Sequence, residues 1–160
     1  MNIRFSDVVD VDLAWQWLRE FPGSNFDDYG PRSKAEFAVS VAERVRGGEL
    51  IVTVLADEQP VGLIGYMPIT ERLGSFHGIC FAKRVHGTGV AKRAVEMFLA
   101  DLFSAGVEKV VATYFADSVN VGRLLQSVGA VEEGLLRRQT LRDGKPIDMC
   151  LIAIFKPEEK

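Results

Sequence analysis

The sequence predicts a single mixed α/β domain of the α+β kind, and three observations carry that prediction. Its 160 residues are 48% hydrophobic, enough to build one core without disulfides or metals. Residues 50–69 hold two β-branched, apolar runs split by a turn sequence, whereas residues 90–105 repeat apolar side chains at helical spacing. Strand and helix signals are interleaved along the chain, and no repeat, low-complexity stretch or linker divides it.

Residues 2–6 alternate polar and apolar side chains and predict a short first strand. A helix is expected over 7–20, where Val11, Ala14, Trp15 and Leu18 recur at helical spacing and Pro22-Gly23 supplies the stop. Trp15 lies on that stripe and reads as core; Trp17 lies off it. Residues 22–32, with Gly23, Asn25, Asp27, Asp28, Gly30 and Pro31, read as a loop. Ser33 with Glu36 three residues on is a capping-box pattern opening a second helix. Phe37, Ala38, Val41, Ala42 and Val45 form its stripe, and Gly47-Gly48 ends it. Strands follow at 50–55 and 61–69, joined by Asp57-Glu58-Gln59-Pro60, and another at 75–81. The strongest helix spans 90–105, with Val90, Ala91, Ala94, Val95, Phe98, Leu99, Leu102 and Phe103 on one face and Gly106 at its end. Residues 109–115 are apolar enough for a central strand. A short helix over 120–128 closes at Gly129. Strands at 131–141 and 146–155 flank Asp143-Gly144, a tight-hairpin signal.

The net charge of −3 argues against a general nucleic-acid partner, and no apolar stretch approaches membrane-spanning length. With no signal-peptide pattern and only two cysteines, Cys80 and Cys150, each in an apolar strand, the expected location is the cytoplasm. Charge is uneven along the chain: residues 1–60 hold 11 acidic and 6 basic side chains. Between 72 and 95 stand Arg72, Lys83, Arg84, Lys92 and Arg93 with no acid. An anionic ligand finds its best electrostatic home in that second stretch.

The segment from Lys83 to Ala91 feeds a long helix from a strand. A helix start presents unpaired N–H groups and a positive dipole end, which together suit a pyrophosphate. Gly87 and Gly89 allow close backbone approach. Lys92 stands where a dinucleotide fingerprint wants glycine, and no Gly-Lys-Ser/Thr opens the helix, so a different phosphate ligand is implied.

Arg84-Val85-His86-Gly87-Thr88-Gly89 resembles the Arg/Gln-x-x-Gly-x-Gly/Ala signature of the GNAT superfamily of N-acetyltransferases, in the expected place between strand and helix. Gly129-Ala130-Val131-Glu132-Glu133-Gly134-Leu135-Leu136-Arg137, then Asp143-Gly144-Lys145 and Asp148, resembles the closing segment of the branch that acetylates N-terminal amines of ribosomal proteins and related amines. The resemblance covers roughly residues 50–155. It implies the GNAT fold: a central, mixed, mostly antiparallel sheet with a splayed parallel strand pair, flanked by helices. It further implies acetyl-CoA as cosubstrate, no metal, and transfer to a primary amine, either a small molecule or a protein N-terminus; a homodimer is compatible with it. The cofactor contacts it implies are Cys80 and Phe81 on the strand, then Arg84, His86, Gly87, Thr88, Gly89, Val90 and Ala91, with Asn120 beyond the next strand. Two positions depart from the family. Asp117-Ser118-Val119-Asn120 replaces its usual Asn-x-x-Ser, and Leu125 stands where many relatives carry a tyrosine that protonates the leaving thiolate. The alternative to an enzyme is a non-catalytic acyl-CoA-binding module of the same fold.

An aliphatic amine is mostly protonated at neutral pH, so a base is needed. His77, the titratable side chain on the strand before the loop, is the first choice, against the reading of a hydrogen-bonded structural histidine. Alternation puts Ser75, His77, Ile79 and Phe81 on one strand face and Phe76, Gly78 and Cys80 on the other. His86 reads as a loop residue near phosphate, and Asn120 as a helix cap or a cofactor contact. Trp17, Phe26 and Tyr29 are candidates for the acceptor pocket, with Asp27 and Asp28 favouring a cationic acceptor.

Overall fold

The computed structural model describes residues 1–20 and 31–158. In chain order these form β1 (Ile3–Ser6), α1 (Val11–Arg19), α2 (Lys34–Arg46), β2 (Leu50–Ala56), β3 (Gln59–Pro68) and β4 (Leu73–Phe81). A 3₁₀ turn (Lys83–Val85), α3 (Val90–Ser104), β5 (Lys109–Phe115), α4 (Val119–Ser127), β6 (Val131–Arg142) and β7 (Lys145–Phe155) complete them. The strands make one sheet in the order β1-β2-β3-β4-β5-β7-β6. Every neighbouring pair is antiparallel except β4 and β5.

Local chemistry sets the element ends. The Asp10 carboxylate accepts the Leu13 N–H at 3.0 Å and starts α1 four residues later than the periodicity suggests. Ser33 Oγ accepts the Glu36 N–H at 3.1 Å, as a capping box requires, but the Glu36 carboxylate reaches one residue further out, to the Arg32 N–H at 2.7 Å. Between β2 and β3 the turn is two residues, Asp57 (φ 47°) and Glu58 (φ 65°), left-handed without a glycine. Their side chains are held by β1: Asp57 Oδ1 accepts the Asn2 N–H at 2.8 Å, and Glu58 pairs with Arg4 at 2.6 Å.

Two apolar layers cover the sheet. The larger, against α3 and α4, includes Val54, Ile64, Tyr66, Phe76, Phe81, Val95, Phe98 and Leu125. The smaller, under α1 and α2, joins Ala14, Trp17, Phe37, Val41, Ile51 and Ala82. This reverses the reading of the two tryptophans. Trp17 is buried at 4% exposure, whereas Trp15 lies at the rim against Phe37, with the Arg19 guanidinium 5.3 Å above its ring. The reason is geometric: Ala14 and Trp17, three residues apart, share a helix face more closely than Ala14 and Trp15 do.

The feature that shapes the site is in β4. Gly65 pairs with Gly78 and Tyr66 pairs with Phe76, so His77 is the extra residue of a β-bulge. Phe76, Ile79 and Phe81 therefore all reach the α3 layer, although strict alternation would divide them. On its other side β4 pairs with β5 only over Leu73–Ser75, opposite Lys109–Val111. Beyond Ser75 the two parallel strands are unpaired with each other.

Candidate active site

Gly87 (φ 74°) and Gly89 (φ 84°) shape the turn into α3, and Gly89 is the helix N-cap. Nothing lies within 4 Å of where a Cβ would stand at either, so backbone conformation requires glycine here, not crowding. Three N–H groups of the turn are used internally: Val85 to Ala82, His86 to Lys83 and Thr88 to Val85. The helix ladder begins with the Arg93 N–H on the Gly89 carbonyl. α3 has no side-chain cap and no acid in its first turn. The N–H groups of Gly87, Gly89, Ala91 and Lys92 thus have no acceptor among the described residues, and that of Val90 has only the Thr88 hydroxyl at 3.4 Å. A helix start left uncapped and free of negative charge is built to receive an anion. The Val90 side chain is core, and only its backbone faces the loop.

The other loop residues have structural bonds. Arg84 Nη2 donates to the Pro60 carbonyl at 2.8 Å, tying the turn to β3. His86 Nε2 lies 3.1 Å from the Phe81 carbonyl, and Thr88 Oγ1 donates to the Val85 carbonyl at 2.5 Å. Below the turn, the Ala82 N–H donates to Val61 across β3 at 2.8 Å. Alternation then turns the backbone groups of Cys80 to β3, and those of Ile79 and Phe81 to the unpaired edge beside β5. Burial, then the charge of Glu20, pushes the Cys80 thiol up to about 12, which makes it inert as a nucleophile.

His77 projects from the opposite side of the sheet. Its Nδ1 lies 3.1 Å from Glu49 Oε1, and the Glu49 side chain is fully buried. Arg44 from α2 grips the same carboxylate with two nitrogens, Nε on Oε2 and Nη2 on Oε1, the second at 2.9 Å, and Nη2 also donates to the His77 carbonyl at 3.3 Å. Gly65 and Gly78 lie beneath this cluster: a Cβ on Gly65 would come within 3.0 Å of Arg44 Nη2 and 3.3 Å of Glu49 Oε1. His77 therefore does not share a face with Ile79 and Phe81, because the bulge turns it to the α1–α2 side. Its ring remains 44% exposed, just past the point where β4 and β5 part. Glu49 and Arg44 were not singled out in the sequence, since Glu49 follows Gly47-Gly48 and reads as part of a helix stop. The available signal was an acid at the mouth of an apolar strand, which needs a buried cation as partner.

Asn120 is not the helix cap. Ser118 occupies that position in α4, and Asn120 is exposed in the first turn. Leu125 is buried at 3%, in the main core. Tyr114 on β5 approaches α4 instead: a Cβ on Gly122 would stand 3.0 Å from its hydroxyl. Burial, then Cys150, raises the Tyr114 pKa. Asp117 is held by Arg142 at 2.7 Å. Phe26, Asp27, Asp28 and Tyr29 lie outside the described residues, and none of the described helices is long and apolar enough to cross a membrane.

Comparison with known proteins gives this geometry a family. The chain is 33% identical over 72 residues to the uncharacterized N-acetyltransferase YoaA of Bacillus subtilis, a match covering 44% of this chain and 41% of that protein, so less than half of the relative's length is spanned. Its fold is shared with spermidine N-acetyltransferase from Vibrio cholerae, solved with CoA and spermine, at a TM-score of 0.80 and 19% identity, covering 96% of this chain and 95% of that one. Ribosomal-protein-alanine N-acetyltransferase from Brucella melitensis gives a TM-score of 0.76 at 16% identity, covering 98% and 100%. Residues 11–129 match the family model of the GNAT acetyltransferases. That match accompanies an uncapped α3 start, a β4 bulge and a strand pair that parts beyond Ser75, and the chain belongs to the acetyltransferase (GNAT) family.

Proposed function

We propose that the chain transfers an acetyl group from acetyl-CoA to a primary amine, a small molecule or a protein N-terminus, with His77 as general base. The observation that carries this reading is the position of His77, with its ring half exposed where β4 and β5 part, across the sheet from the uncapped α3 start. Acetyl-CoA supplies the acyl group as a thioester. The N–H groups of Gly87, Gly89, Val90 and Ala91 would hold its pyrophosphate, with Lys92 and Arg93 adding positive potential. Arg84, His86 and Thr88 keep the turn in shape, and Ile79 and Phe81 offer backbone partners to an extended chain lying in the gap. Asn120, exposed at the start of α4, remains a candidate polar contact to the cofactor.

The acceptor arrives as an ammonium ion. His77 Nε2 takes one proton, and the freed nitrogen attacks the thioester carbon. A C–N bond forms, the C–S bond breaks, and the second nitrogen proton leaves with the thiol. Backbone N–H groups at the β4 edge stabilise the developing oxyanion, an effect typically worth about 3 kcal/mol. Spermidine and ribosomal-protein-alanine acetyltransferases among the structural neighbours support an amine acceptor. The acid stretch at Asp27 and Asp28 supports a cationic one. Trp17 contributes to the acceptor side as a buried support for α1. The two free thiols, Cys80 and Cys150, support a cytoplasmic location.

Release of CoA thiol, followed across a panel of polyamines, amino-acid amides and peptides with free N-termini, tests the reading. Turnover with at least one amine is the expected result. Tight acetyl-CoA binding with no turnover on any member would favour the non-catalytic module, the alternative that buried Leu125 supports.

A further inference from the structure

The base reading leaves a question of atoms: which ring nitrogen of His77 accepts the proton, and what decides it. From the contacts around His77 we infer that Glu49, locked by Arg44, is a positioning residue that fixes His77 in the tautomer with the proton on Nδ1, leaving Nε2 as the acceptor. This inference rests on the proposed role of His77.

A carboxylate can only accept. Glu49 keeps its charge inside the protein because Arg44 neutralises it with a two-nitrogen grip, so Oε1, 3.1 Å from His77 Nδ1, demands a donor there. A neutral imidazole meets that demand only with its proton on Nδ1. Its Nε2 lone pair is then directed away from the buried pair, and no described residue bonds to it. The three groups come from α2, the start of β2 and the bulge of β4, and the charged groups placed against the ring are Arg44 and Glu49. Arg44 and Glu49 carry opposite charges, so the cluster is neutral while His77 is neutral and gains one positive charge when the ring takes a proton. Two further features suit a built device. The Arg44 bond to the His77 carbonyl pins the backbone of the bulge itself, and glycine at 65 and 78 clears the space that the guanidinium and carboxylate occupy.

Nitrogen-15 NMR of the labelled protein reads the tautomer directly, at a pH where the imidazole is neutral. The chain has two histidines, so a His86→Asn sample assigns the signals. The expected spectrum has a protonated Nδ1 and an unprotonated Nε2 at His77. A proton on Nε2 in the wild-type protein overturns the inference, whatever the variants do. In Glu49→Gln the carboxamide can donate to Nδ1, which moves the proton to Nε2 and removes the acceptor lone pair. Turnover should fall roughly 100-fold to 10,000-fold with acetyl-CoA affinity by calorimetry within a few-fold. Glu49→Asp, which can still only accept, should keep the Nδ1-protonated form and recover part of the rate. If His77→Ala loses turnover while Glu49→Gln keeps both turnover and the wild-type tautomer, positioning by Glu49 is wrong and the base reading stands. If His77→Ala keeps turnover, the base reading itself is wrong.

Discussion

On its α3 side, β4 leads into a site made of backbone: uncapped N–H groups at the helix start and open strand edge at Ile79 and Phe81. On its α1–α2 side the site is made of side chains, Arg44, Glu49 and His77, drawn from three elements and partly hidden from water. The first depends on a short continuous sequence in which two left-handed glycines and the absence of a capping side chain do the shaping. The second depends on the bulge in β4, whose extra residue is His77 itself and which separates it from the face of Ile79 and Phe81. A backbone site tolerates changes of side chain and suits a ligand shared by many relatives. A side-chain site can be altered residue by residue, and under the proposed function it is the side that meets the acceptor.

Substitutions confined to one side should therefore separate binding from chemistry. The largest effect is expected on the side-chain face. His77→Ala should lower turnover by about 100-fold to 10,000-fold, bind acetyl-CoA normally, and regain part of the loss at high pH, where the amine is already deprotonated. A matching loss of acetyl-CoA affinity would mean that the two faces are not independent.

On the backbone face, Gly89→Val forces a β-branched residue to φ 84° and covers the open space above the helix start. Acetyl-CoA affinity should drop by about tenfold or more, given the strain typical of such residues. Calorimetry on the folded variant checks it, and unchanged affinity would remove the loop from the site. Reversal of Asp27 and Asp28 to lysine should raise the Michaelis constant for a cationic acceptor a few-fold at low ionic strength, an effect that added salt erases. The smallest effect concerns Cys80, whose thiol is pushed up to about 12 by burial. A raised thiol pKa means that the folded state holds its proton where the unfolded state has released it. Alkylation of Cys80 should stay slow in the folded protein through neutral pH and become fast on denaturation, read by mass spectrometry. Stability from this group should erode only as pH climbs from about 9 toward 12.

The same contrast explains what could be read in the sequence. Element types and most boundaries followed from periodicity and turn residues, down to the Asp143-Gly144 hairpin, because those signals are local. The glycine turn into α3 was visible for the same reason. His77 was named, yet alternation grouped it with Ile79 and Phe81, since a bulge is decided by how Gly65 and Tyr66 of β3 meet Gly78 and Phe76. Arg44 and Glu49 lie 33 and 28 positions before His77, and no periodicity links an end of α2 to the middle of β4. Trp17 was misread because a nine-residue helix gives little length in which to choose between neighbouring stripes.

The short pairing of β4 with β5 has a mechanical consequence. Three register pairs join a four-stranded half of the sheet to a three-stranded half, so the ladder between them ends at Ser75 and Val111 and the strand tips beyond carry unpaired edges toward one another. An extended ligand with amides along its length would complete the interrupted ladder like an inserted strand, bracing both halves at once. Such bracing raises unfolding free energy by about 2.7 kcal/mol when ligand stands at 100 times its dissociation constant. The opening also exposes raw strand edges, the usual template for aggregation. Here the edges lie inside the sheet between β4 and β5, so a gap that would take one narrow chain also shields them from a second sheet.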